Sequence, residues 1–422
     1  MQYRLRQILI DNLIVFLLVM SSGSLLFVFQ RNIMYIVFLL ILILAFIPFD
    51  KLKKPVFQSA FLTFSSFIIL FLINYIFAIT EQEMDKYIYY IIVLSASGLT
   101  LTHFFNNRDS DIFLRRLYLI LKIIMIHSII NLFAFLYVKN QLVTISNLHH
   151  ECQTFNNIFF YSSLQKKYAL ISFLGIDFYR NQGLFWEPGV LQVFLNIYLY
   201  LEAFVFKKSR FLIALTILAI LSTYSTTAII ILLIQLIFYM ITEMKNSKIL
   251  IPFVLILSIP IYLVFSTNIK EKIIGEKEAS FQKRYFDLVQ PFFISIQHPL
   301  TGIGLDFKKY KEFRSEFYFS SNTFDFIRDE TGVDLKVENT EEGISNSFMF
   351  LLSSMGFPTF FLLMVMFFKQ NLFNKRKSLI YMIIILSLMS SPLLLRPFFL
   401  IIIISGFYEF FSKFKFQNKQ FS

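Results

Sequence analysis

Apolar runs of about 17–22 residues recur along the whole chain, separated by short polar segments. That length lets a helix cross roughly 30 Å of hydrocarbon. Window hydrophobicity places about twelve spans. They are Ile8–Phe29, Ile33–Phe49, Phe57–Ile79, Tyr87–Phe105, Leu117–Val138, Pro188–Phe206, Phe211–Ser222, Thr226–Thr242, Ile249–Ser266, Ser345–Phe368, Leu379–Leu395 and Pro397–Phe411. The pattern predicts an all-α polytopic membrane protein. Phe211 to Thr242 is long for one span and short for two. Ser222-Thr223-Tyr224-Ser225-Thr226-Thr227 lies at its middle, and two short spans joined by a polar turn keep the later loops on consistent sides. Such a turn is tolerated inside a membrane where it lines a polar cavity.

Two long loops remain. They divide the chain into 1–138 with five spans, a first loop 139–187, spans six to nine over 188–266, a second loop 267–344, and 345–422 with three spans and a tail. Loops of this length are uncommon and usually functional. In the second, Phe281, Tyr285, Leu288, Val289, Phe292, Phe293 and Ile296 recur at helical spacing, opposite Lys283, Arg284, Asp287 and Gln290. The pattern predicts an amphipathic helix lying in the membrane interface. His298-Pro299-Leu300-Thr301-Gly302-Ile303-Gly304 then reads as a tight turn.

Composition agrees with the spans. Hydrophobic residues make up 57% of the chain and charged residues only 16%, too little polar surface for a soluble domain of ordinary size. The net charge of +12 does not imply nucleic acid, because most Lys and Arg sit in short loops between apolar runs. There they set orientation. Loops carrying Arg4/Arg6, Lys51/Lys53/Lys54, Arg108/Arg115/Arg116, Lys207/Lys208/Arg210, Lys245/Lys248, Lys369/Lys375/Arg376/Lys377 and Lys413/Lys415/Lys419 alternate with loops poor in base. The expectation is that both termini are cytoplasmic and both long loops periplasmic. The N-terminal run is too long for a signal peptide's apolar core and reads as an uncleaved first span. Cys152 is the sole cysteine, which excludes an internal disulfide or a Cys-based zinc site. His149 and His150 are adjacent rather than spaced for one helix face, so no metal is expected.

Three constellations could carry chemistry. The first is Arg180-Asn181-Gln182-Gly183-Leu184-Phe185-Trp186-Glu187-Pro188-Gly189, at the entry to the sixth span. It reads equally as a charged helix start, with Pro188 in the first turn. The second is Lys283-Arg284 with the His298–Gly304 turn; attraction to anionic lipid is the simpler reading of the two basic residues. The third is Asn346, opening a span that contains Gly356 and Pro358, where a helix cap is the plain alternative. Lys122 and His127, in or near the fifth span, are candidates only as intramembrane ionisable groups.

In this order and spacing the elements resemble the O-antigen ligase and polymerase superfamily. Arg180, Gly183, Glu187 and Pro188 match its first element; Arg284, His298, Pro299, Gly302 and Gly304 its second; Asn346 and Gly356 its third. Two departures stand out. Ser225-Thr226 stands where members often carry Ser-Arg, and Asn346 is flanked by Ser345 and Ser347 where ligases carry a His.

The resemblance implies a GT-C-like multi-span fold in the bacterial inner membrane with a periplasmic active site. It implies undecaprenyl-diphosphate-linked glycans as donor and acceptor, membrane lipid as surroundings and no cofactor. A chain-length regulator is a further expected partner. Arg180 and Arg284, helped by Lys283, would hold the leaving diphosphate, since a guanidinium binds phosphate oxygens bidentately and keeps its charge. Glu187 and His298 are the candidate bases. Asn346, Gly302 and Gly304 would position the acceptor and the loops. Polymerisation of repeat units fits best, ligation to lipid A core is the nearest alternative, and a polysaccharide flippase is the rival from another class. A flippase would place polar residues through the membrane midplane, whereas here the unusual residues sit in the long loops.

Overall fold

The computed structural model describes residues 2–29, 31–46, 52–106, 110–138, 143–146, 151–154, 161–162, 170–173, 176–243, 278–316, 329 and 344–418. Apart from Ile8–Phe29, which is divided between two helices, each apolar run read from the sequence overlaps a helix; Ile249–Ser266 lies outside these residues, as do His149 and His150. Five helical stretches are long and apolar enough to cross a membrane: Lys54–Phe77, Met84–Asn106, Asp111–Ala134, Pro188–Phe206 and Ser347–Phe368. Shorter apolar helices cover Asn32–Phe46, Arg210–Ser222, Thr226–Thr242 and Lys377–Ser390. This is a mostly helical, multi-pass membrane protein.

The chain forms two compact units built from interleaved segments. The first comprises Met1–Asp50, His103–Asn268 and Leu372–Ser387; the second comprises Lys51–Thr102, Ile269–Asn371 and Leu388–Ser422.

In the first unit, α1 (Gln2–Ser21), the short α2 (Leu26–Phe29) and α3 (Arg31–Phe46) precede α6 (Ser110–Val138). The first run is not one helix to Phe29. Ser21 and Ser22 both turn their hydroxyls back onto the Leu18 carbonyl. Such back-bonding competes with the helical ladder, and α1 stops there. Short strands follow within the first long loop: β1 (Val143–Ser146), β2 (Glu151–Thr154) and β3 (Tyr161–Ser162) in one antiparallel sheet, and β4 (Leu170–Phe173) with β5 (Ile176–Tyr179) in another. The fold is thus helical with two small antiparallel sheets, an addition to the expected all-α architecture. Val143, Thr144 and Ile145 are β-branched, which favours strand, but runs this short lie below what periodicity resolves.

Next, α7 (Pro188–Tyr200) continues as a π-helical turn, Leu201–Phe206. The buried Glu202 on that turn accepts hydrogen bonds from Tyr118 Oη at 2.6 Å, Tyr198 Oη at 3.2 Å and the Ser209 amide at 2.6 Å. It thereby ties the turn to α6 and to the start of α8 (Arg210–Ser222). A three-residue turn separates α8 from α9 (Thr226–Glu243), so Phe211 to Thr242 forms two helices, as expected. The unit also holds α13 (Lys377–Ser390) up to Ser387.

The second unit contains α4 (Lys54–Phe77), α5 (Met84–Asn106) up to Thr102, α10 (Glu278–Gln297), α11 (Phe307–Glu316), α12 (Ser347–Phe368) and α14 (Pro397–Asn418). Gly406 lets α14 approach α12 closely: a Cβ there would fall 1.8 Å from the Met366 carbonyl oxygen. Small residues commonly permit such contacts between membrane helices.

α10 forms where the helical spacing predicts a helix. It runs alongside α12 in the same direction, with Asp287 bonded to Ser345 and Pro299 bonded to Phe357. Its polar residues Asp287 and Gln290 are buried, while Leu288, Phe292 and Ile296 are exposed. The amphipathic spacing was legible; of the polar positions, Asp287 and Gln290 carry internal contacts while Arg284 is exposed.

Candidate active site

In the first unit the Arg180–Glu187 segment rests on the turn between α8 and α9. Arg180 Nε donates to the Thr223 carbonyl at 3.0 Å. The Asn181 amide donates to the Ser222 carbonyl at 2.9 Å, and Asn181 Nδ2 to Ser222 Oγ at 3.0 Å and the Ser128 carbonyl at 2.8 Å. Asn181 Oδ1 in turn accepts from the Gly183 amide at 3.1 Å and from Asn131 Nδ2 at 3.2 Å. Gly183 takes a positive φ of 53° and returns the chain toward α7.

The segment also pairs with the break after α1. Leu25 donates its amide to the Leu184 carbonyl at 3.0 Å, and Trp186 donates to Gly23 at 3.2 Å. Glu187 is the N-cap of α7, with extended backbone and Pro188 following; its carboxylate makes no capping bond. The cap reading accounts for its backbone only. Arg180, Trp186 and Glu187 are all half-buried.

Gln182 was missed by sequence reasoning. Its side chain is 1% exposed, and both its amide atoms lack a hydrogen-bond partner in the structure. A buried amide left unpaired is costly and calls for an explanation. Nothing in its local spacing distinguished it from its neighbour Asn181.

In the second unit the His298–Gly304 turn plugs a broken helix. Gly356 has φ 74° and ψ 171°, outside the helical region and within reach only of glycine. The break leaves carbonyls of α12 without helical partners. Ile303 donates its amide to Ser353 at 2.9 Å, Gly304 donates to Ser354 at 2.9 Å, and Phe357 beyond the break donates to Pro299 at 2.8 Å. Gly302, at φ 66°, lies against the same backbone. Gly304 lies against the Gln82 side chain.

The loop after α4 completes the plug. Asn74 Nδ2 donates to the Thr301 carbonyl at 2.7 Å and the Ser354 carbonyl at 2.8 Å, while Tyr87 Oη donates to Asn74 Oδ1 at 2.6 Å. Thr80 Oγ1 and Gln82 Nε2 both donate to the Ile303 carbonyl. Asn74, Thr80 and Gln82 lie over two hundred residues in sequence from the carbonyls they bond, so no local motif reveals them.

His298 is half-buried at the C-terminal end of α10, its ring edge-on to Phe313 with centroids 5.7 Å apart. Burial lowers its pKa below the ordinary histidine value. Arg284 is exposed on α10. Lys283 lies in the same helix, its side chain outside what the structure describes. Asn346 caps α12: its Oδ1 accepts from the Phe348 and Met349 amides at 3.0 and 3.2 Å. Ser345 is bonded through its amide and hydroxyl to Asp287 Oδ2, both at 2.7 Å. Ser347 Oγ donates to the Ser391 carbonyl at 2.6 Å and accepts from the Leu393 amide at 2.8 Å. Among the described residues no cluster of His, Cys, Asp and Glu is arranged to hold a metal.

Residues 211–364 match the family model described as O-antigen ligase. The matched segment runs from α8 into α12 and holds Arg284, His298, Gly302, Gly304, Asn346 and Gly356. The resemblance to the O-antigen ligase and polymerase superfamily therefore extends over this segment. Arg180, Gly183, Glu187 and Pro188 precede the match. No curated protein and no solved structure matches the chain.

Proposed function

We propose that this protein polymerises undecaprenyl-diphosphate-linked oligosaccharide repeat units into O-antigen or capsular polysaccharide at the periplasmic face of the bacterial inner membrane. The observation that carries this reading is the match over residues 211–364, in which the His298–Gly304 turn is hydrogen-bonded into the helix broken at Gly356. Arg180 supports it from the first unit. The α8–α9 turn has no Arg of its own where members often carry one, and Arg180 is anchored there through Nε.

In the proposed reaction an acceptor hydroxyl oxygen bonds to the donor's anomeric carbon. The bond from that carbon to the diphosphate breaks, and lipid diphosphate leaves with the electron pair. The barrier lies in the negative charge developing on the diphosphate. Fixed guanidinium groups in a water-poor site lower it by several kcal/mol, on the order of what one preorganised donor supplies. Arg180 and Arg284 take that role, with Lys283 as a further cation. The hydroxyl proton passes to Glu187 or His298. His298 is suited to accept it, because burial favours its neutral form.

The acceptor side favours a polymerase over a ligase. Ligases of the superfamily carry a His beside the Asn that opens α12. Ser345 and Ser347 stand there instead, and both hydroxyls are occupied in structural hydrogen bonds. Serine is in any case too weak a base at neutral pH. Ligation remains the second reading because the matched model is described as O-antigen ligase. Deleting the gene and running the surface polysaccharide on a gel separates the two. Loss of a polymerase leaves single repeat units on the core or carrier. Bare core with long chains stranded on lipid diphosphate would make this the ligase, and an unchanged ladder would refute both.

A further inference from the structure

The second unit contains a buried ion pair that the reaction as proposed does not use. Arg314 at the end of α11 donates from Nη2 to Asp287 Oδ1 at 3.0 Å, and both side chains are 1% exposed. Gln290, one turn beyond Asp287 on α10, accepts from Arg314 Nε at 2.5 Å and donates to the Arg314 carbonyl at 2.9 Å. The second carboxylate oxygen of Asp287 takes the amide and hydroxyl of Ser345. One carboxylate thus joins α10, α11 and the residue preceding Asn346.

Stability alone does not require such a pair. Two charges removed from water recover little net energy, and well-packed apolar residues of similar volume usually serve as well. Charged hydrogen bonds are directional, however, and fix geometry that apolar packing leaves looser. Here the fixed quantity is the rotation of α10. The helix's exposed edge, Leu288, Phe292 and Ile296, is apolar. Arg284 lies one turn before Asp287 and is exposed. Turning the helix by one residue, about 100°, would carry it to another side.

We propose that Asp287 and Arg314 are positioning residues for the glycosyl transfer: their ion pair sets the rotation of α10, and so the placement of Arg284, against the Ser345–Asn346 start of α12. The proposal rests on the functional reading above for Arg284, but part of its test does not. The full-length protein is reconstituted in nanodiscs with lipid-linked repeat units extracted from the deletion strain. Asp287→Leu combined with Arg314→Met replaces the pair by apolar volume. That variant is expected to stay folded, with KM nearly unchanged and kcat lowered about 10–100-fold, the usual cost of losing an orienting partner. In parallel, Arg284→Cys in a Cys152→Ser background is labelled with a membrane-impermeant maleimide. Its labelling rate is expected to change when the pair is replaced.

A folded double variant with wild-type kcat and an unchanged labelling rate would overturn the proposal. Should that variant not fold, Arg314→Lys keeps the charge and loses the Nε contact to Gln290. A folded Arg314→Lys protein with lowered kcat supports the positioning role, and one with wild-type kcat and labelling rejects it. If the wild-type protein itself forms no polymer, the functional reading fails, and the labelling rates alone decide whether the pair orients α10.

Discussion

Gly302 stands in backbone contact with Ser353: a Cβ on the glycine would lie 2.4 Å from the serine carbonyl oxygen. The same oxygen accepts the Ile303 amide at 2.9 Å. The contact therefore cannot widen without breaking the bond that satisfies the interrupted helix. Gly302→Ala and Gly356→Ala are expected to destabilise strongly. Each combines a clash with a left-handed backbone that costs an L-residue roughly 1–2 kcal/mol. Size-exclusion profiles of detergent-solubilised protein should show aggregation or loss. Leu300→Ala, at a side chain 72% exposed, should leave the profile unchanged.

Arg180 donates to a carbonyl of the main chain, so the two partners respond differently to mutation. Arg180→Ala is expected to abolish polymer while the protein remains in the membrane. Arg180→Lys should rescue poorly, since an ammonium cannot both bond the Thr223 carbonyl and offer a planar fork to phosphate. Thr223→Ala keeps the carbonyl and should retain polymer. Surface-polysaccharide gels beside immunoblots of membranes read all three, and normal polymer from Arg180→Ala would remove the residue from the diphosphate clamp.

Asn346 gives up its Oδ1 to two amides of α12, which is the work of a cap. Asn346→Asp or →Ser should preserve both stability and polymer, because these residues cap as well. Asn346→Ala should cost about 1 kcal/mol, read as a lowered unfolding temperature, with kcat little changed. A folded Asn346→Asp protein without activity would instead assign the amide to the acceptor.

The sequence showed where the helices lie because membrane-length apolar runs have few other uses. Even the divided stretch at Ser222–Thr227 was readable from length and polarity. The break after Ser21 was not: Ser22-Gly23-Ser24 is followed at once by more apolar residues, and the segment beyond the break pairs with Leu184 and Trp186 far along the chain. For the candidate site, the order of Arg180, Arg284, His298, Gly302, Gly304 and Asn346 was legible, and so was the cap alternative at Asn346. What the His298–Gly304 turn does was hidden, because its partners Asn74, Gln82 and Ser354 come from other helices. Arg314 was hidden for a related reason. In Phe307–Glu316 it looks like one more surface cation among Lys308, Lys309 and Lys311, and its burial is explained by Asp287 and Gln290 on α10.

The choice between the two candidate bases turns on pH. Burial depresses the pKa of His298 below the ordinary histidine value, and the residue lies outside the five candidate spans. A lowered folded-state value means that the fold favours the neutral ring. The stabilisation linked to it is present above the unfolded value and is lost as pH falls through the folded value. If His298 takes the acceptor proton, only the neutral ring is competent. Initial rates in nanodiscs should then be flat above neutral pH and fall on acidification, with an inflection below the ordinary histidine pKa. His298→Gln should lose most of the rate together with the inflection. If Glu187 is the base, His298→Gln keeps an acid limb, and Glu187→Gln removes the activity. Thermal unfolding of the wild type over the same pH range provides the control: an inflection in rate that merely tracks unfolding would assign the acid loss to stability and leave His298 a turn residue.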